Sequence, residues 1–126
     1  MEKLQNYYRS FEKEMGYNLF DENSFQANQT FLLYIHMLLT TEVAEVAEEF
    51  RSMFDQSEKF LSEGYSDIEA MALAKESIKD NLGKELADCL AYLLKLANYF
   101  EYDLETELYS KLEEIKRTRK RYKIHK

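Results

Sequence analysis

The segment KELADCLAYLLKLANYF (84–100) has no Pro and no Gly, and Leu and Ala dominate it. Those are strong helix formers. Leu86, Leu90, Leu93, Leu94 and Leu96 surround most of a helical circumference. A helix that is apolar nearly all round is buried on several sides. A chain of 126 residues has little with which to cover it, so a homodimer or homotetramer with sites near the interface is expected.

Outward from that segment the same character continues. The whole chain holds three Gly and no Pro, with 45% hydrophobic and 33% charged residues. This composition folds rather than remaining disordered, and it lacks the punctuation of an all-β protein. The reading is an all-α bundle of four to five helices in a single domain spanning 1–126. Helices are expected over 2–15, 25–54, 67–80, 84–99 and 103–119, with Gly16 as a C-cap and a break at Asn81–Gly83. Residues 55–66 read as a connection, and Ser66 or Asp67 as the next cap.

Several function classes recede at once. Cys89 is the lone cysteine, which leaves neither an intrachain disulfide nor a cysteine zinc site. The N-terminus lacks a signal-peptide core, and no run of 18 or more apolar residues suggests a spanning helix. A soluble, cytoplasmic protein without a membrane partner is expected. The net charge is −7, but residues 111–126 carry +6 and residues 1–110 carry −13. So acidic a body makes nucleic acid an unlikely partner. The basic tail, 119–126, is suited to contacting something anionic.

The acids are separated by their helical register. Stepping about 100° per residue, Phe31, Ile35, Leu38 and Met53 share one line, and Glu42, Glu45 and Glu49 fall on it. Glu48 points aside. On the 84–99 helix, Glu85 and Asp88 continue the stripe of Cys89, Tyr92, Leu96 and Tyr99, while Ala91, Lys95 and Asn98 mark the polar side. Carboxylates facing an interior without cations repel one another and lose solvation. A divalent metal resolves that conflict, and hard oxygen donors without His suit Mg²⁺ or Mn²⁺. His36 has no Glu-x-x-His partner, which argues against a di-iron bundle.

TEVAEVAEEF (41–50) and KELADCLAYLLKLANYFEYDLETEL (84–108) together resemble the all-α MazG-type nucleotide pyrophosphohydrolases. The marks are Glu42-Val-Ala-Glu45, Glu85-Leu-Ala-Asp88 and the turn at Tyr102-Asp103-Leu104, and the resemblance covers roughly 30–118. It implies a MazG-like fold, Mg²⁺ held by Glu42, Glu45, Glu85 and Asp88, and a nucleoside triphosphate substrate cleaved between its α- and β-phosphates. It places Tyr92 near the nucleotide, and Lys111 with Arg117 or Arg119 near the phosphates. Glu49 is the candidate for an extra ligand or the base that accepts water's proton. The chain departs from the family at Thr41, where a further Glu is common, and near Ile115, where an Asn is common. It also has a long spacer, so 55–80 reads as an insertion. A dimeric dUTPase-like enzyme and a non-catalytic helical regulatory module are the rival readings.

Overall fold

Ser24 marks where the longest helix begins: its hydroxyl accepts from the Ala27 backbone N–H at 3.1 Å, satisfying one of the donors that every helix start leaves open. The computed structural model describes residues 1–17 and 19–124, with side chains as far as Arg119. The basic tail beyond that residue lies outside the described side chains. Four helices follow in order, α1 (Glu2–Met15), α2 (Phe25–Ser62), α3 (Asp67–Tyr99) and α4 (Leu104–Ile124). The described residues contain helices and turns, and no strand.

The all-helical expectation holds, and two expected boundaries do not. α2 continues through the 55–62 stretch that reads as a connection, leaving 63–66 to join it to α3. The reason is packing. Ser57 and Phe60 extend the inward line of Met53, and the Ser57 hydroxyl donates to the Phe54 carbonyl at 2.9 Å. α3 likewise passes through Asn81–Gly83 without a break. Ile78, Leu82 and Glu85 keep an unbroken inward line there, which outweighs the roughly 1 kcal/mol that a mid-helix Gly costs. At the start of α3, Ser66 accepts from the Glu69 N–H at 3.2 Å and donates to its carboxylate at 2.9 Å. Gly16 closes α1 with φ 71°, in the left-handed region.

The chain forms two compact units. One comprises Asn23–Leu93, and the other joins Met1–Glu22 to Leu94–Lys126. The first unit is an antiparallel hairpin of α2 and most of α3, whose buried apolar residues are Ile35, Ala70, Ala74 and Ile78. In the second, Leu94 and Ala97 are buried and Gln5 of α1 ties the elements together. Its amide donates to Asn98 Oδ1 at 2.9 Å and to the Tyr102 carbonyl at 2.7 Å, and its oxygen accepts from the Leu104 N–H at 2.9 Å. Lys95 pairs with Glu12 at 3.2 Å, the two side chains only 11% and 8% exposed, and lies over the Tyr17 ring. Lys95 and Asn98 are therefore not on a solvent-facing side, as helix register alone suggests. α1 covers them.

α2 also contains an 18-residue window of mean hydropathy 1.3, long and apolar enough by length and composition to cross a membrane. The apolar run is interrupted by Glu42 and Glu45, so a count of consecutive apolar residues does not find it.

Candidate metal centre

Three carboxylates meet within the hairpin. Glu42 and Glu45 stand on α2 and Glu85 on α3, each offering an oxygen within 4.8 Å of the others. Their meeting follows from the antiparallel pairing: Glu42 lies about as far before the 63–66 connection as Glu85 lies beyond it. Glu42 and Glu85 are half-buried, on the inward lines of their helices, and Glu45 is exposed at the edge.

The electrostatics are those of a crowded acidic site. Burial pushes the Glu42 carboxyl above the usual range; a hydrogen bond with Glu85 and the charges of Asp88, Glu85 and Glu45 push it further. A proton held on Glu42 lets it donate to Glu85 where two carboxylates would repel. Burial, then the charges of Glu42, Asp88 and Glu85, raise the Cys89 thiol as well. This thiol is therefore protonated rather than reactive at neutral pH. Among the described residues, no Lys, Arg or His forms an ion pair with any of the four acids.

Glu85 Oε2 is buried and has no hydrogen-bond partner. A buried carboxylate oxygen left unpaired is costly, and a divalent cation would satisfy it. The donors within reach are all carboxylate oxygens, the set that hard cations prefer. The residues present fit Mg²⁺ or Mn²⁺.

The other expected site residues are distributed less tightly. Asp88 is exposed and stays outside the three-oxygen group, although its charge reaches Glu42. Glu49 is half-buried two turns beyond Glu42 on the same inward line, also outside the group. Tyr92 is half-buried on α3, one turn past Asp88. Lys111, Arg117 and Arg119 are exposed on α4, in the other unit. Lys111 pairs with Glu114 at 3.2 Å. Register alone does not reveal the unpartnered oxygen of Glu85, because burial of one atom depends on the facing helix.

No family model, curated protein or solved structure matches the chain.

Proposed function

We propose that the chain is a Mg²⁺-dependent nucleotide pyrophosphohydrolase of MazG type, converting a nucleoside triphosphate to the monophosphate and pyrophosphate. The observation that carries the reading is the convergence of Glu42, Glu45 and Glu85 from two helices, with Glu85 Oε2 buried and unpartnered. The choice of nucleotide chemistry comes from the resemblance of 41–50 and 84–108 to that family.

Glu42, Glu45, Glu85 and Asp88 would hold the cation, Mg²⁺ or Mn²⁺. When bound, it neutralises phosphate charge and eases ionisation of water. Water adds to the α-phosphorus, the bond to the bridging oxygen breaks, and pyrophosphate leaves with that oxygen. Glu49 is the carboxylate assigned to accept the water's proton. Tyr92 is assigned to the nucleoside, and Lys111, Arg117 and Arg119 to the phosphates.

Pyrophosphate release from each NTP and dNTP, with and without Mg²⁺, tests the proposal. Release is expected with Mg²⁺ and lost with chelator. Glu45→Gln and Asp88→Asn should lower it on the order of 100-fold or more. Absence of release from every nucleotide, or full activity in both variants, overturns it.

A further inference from the structure

α1 is docked by its polar residues rather than its apolar ones. Leu4, Tyr8, Phe11 and Met15 fall on one line of the helix, the spacing of an amphipathic stripe. Yet Leu4, Phe11 and Met15 are 41%, 40% and 51% exposed, and Tyr8 is half-buried. The buried residues of α1 are Gln5 and Glu12. They form a second line, roughly 80° round the helix from the stripe. The helix is therefore turned so that an amide and a carboxylate face its unit while most of the stripe meets water.

These two residues hold particular partners. The Gln5 side chain bonds Asn98 on α3, the Tyr102 carbonyl in the turn and the Leu104 N–H at the head of α4. The Asn98 amide donates in return to the Gln5 carbonyl at 3.2 Å, and Glu12 pairs with Lys95. One glutamine of α1 thus joins the end of α3 to the start of α4. Leu104 is half-buried, and every residue of α4 from Glu105 to Arg119 is exposed. With no buried side chain of its own over that span, α4 depends on this junction for its anchoring.

We propose that α1 is a releasable strap, whose undocking frees the start of α4 while the α2–α3 hairpin stays folded. Release exposes little new apolar surface, because most of the stripe is already in water. The groups it uncovers exchange protein hydrogen bonds for water at small net cost. The ion pair holds little more, since desolvation offsets much of its attraction. The ring contacts Tyr8–Phe11 and Phe11–Tyr17, at 5.9 and 6.0 Å, lie within the strap and its following loop, so they survive release. The hairpin differs. Opening it exposes Ile35, Ala70, Ala74 and Ile78, all buried. Local release of α1 therefore lies well below opening of the hairpin in free energy. Gln5 is the positioning residue for α4. On the nucleotide reading α4 carries Lys111, Arg117 and Arg119, whose placement the strap would set; the proposal itself does not depend on that reading.

Residue-resolved hydrogen exchange on the full chain, without metal or nucleotide, tests it. Amides of Phe11–Met15 should exchange through an opening on the order of 100-fold more populated than the one that exposes Ile78. The Leu104 amide should exchange with them. Gln5→Ala should raise both rates on the order of 10-fold and leave the hairpin amides unchanged. Gln5→Glu keeps the acceptor for the Leu104 N–H but loses the amide donor, and should give a smaller rise. Trypsin provides a reading that needs no variant: it should cut the native chain at Arg9 and Lys13 before Arg51, Lys59 or Lys75. Amides of α1 that exchange no faster than that of Ile78, or a Leu104 amide still protected when α1 opens, overturn the inference. So do a Gln5→Ala variant that speeds the hairpin by the same factor and trypsin cleavage that begins in the hairpin.

Discussion

Glu42 is a half-buried glutamate whose neighbours are other acids, and this makes its protonation a sensitive reporter of the site. Its carboxyl is raised, first by burial and then by Glu85, Asp88 and Glu45. A raised acid binds its proton more tightly in the folded than in the unfolded chain. It therefore stabilises the metal-free fold fully below the ordinary glutamate pKa, and that contribution is lost as pH rises through the raised value. Chemical denaturation of metal-free protein across pH 4–8 should show stability declining over this window. Glu42→Gln should flatten that decline, and should remove stabilisation by Mg²⁺ at neutral pH. An unchanged pH slope in Glu42→Gln would place the coupling elsewhere.

The Lys95–Glu12 pair is the other residue-scale determinant, and it belongs to the second unit. Both partners are nearly buried, 3.2 Å apart. Removing one leaves a buried charge uncompensated, so Lys95→Ala should cost about 3 kcal/mol in urea denaturation. Replacing both, Glu12→Leu with Lys95→Met, should recover most of it. A double variant as unstable as the single would show that the cost comes from lost packing instead.

At the scale of elements, α2 and α3 owe their lengths to a continuous inward line rather than to propensity. Ile78 sits on that line, 4% exposed, between the 67–80 segment and the acid-bearing half of α3. Ile78→Ala should cost about 2–4 kcal/mol and reduce metal affinity, since it loosens α3 where α3 positions Glu85. Loss of stability without change in metal affinity would show that the two halves of α3 are held separately. The cap at Ser66 is local, and Ser66→Ala should cost about 1 kcal/mol in the same assay.

The element scale also shows how far periodicity is legible. The inward positions of Ile35, Glu42 and Glu49 on α2, and of Glu85 and Tyr92 on α3, follow from register because helix geometry repeats locally. The supposed breaks at 55–66 and Asn81–Gly83 do not, because a Gly or a polar run ends a helix only where packing fails to carry it through. Here Ser57, Phe60, Ile78 and Leu82 carry it through.

For the whole molecule, a cation held at the proposed site would link metal binding to folding. A cation bound to the folded chain at about 100 times its Kd stabilises by about 2.7 kcal/mol. Thermal unfolding with Mg²⁺ should shift upward relative to chelator-treated protein, and further with a non-hydrolysable triphosphate. Glu45→Gln should abolish both shifts; an unaltered shift in that variant would detach the cation from this cluster.

What the sequence by itself determined is local: the all-helical character, the caps at Ser66 and Gly16, and the register that turns Glu42 and Glu85 inward. Each depends on residues within a turn or two. That 67–80 and 84–99 join into one helix was not among these. What only the tertiary structure decided is whatever depends on a facing helix. It brings carboxylate oxygens of Glu42, Glu45 and Glu85 within 4.8 Å of one another and leaves Asp88, which is exposed, outside that group. It buries Glu85 Oε2 without a partner and encloses Lys95 with Glu12. The segment 84–100 is apolar around most of its circumference, but register cannot say which of its sides the chain itself covers. That depends on distances across packed helices, which periodicity along one helix does not contain.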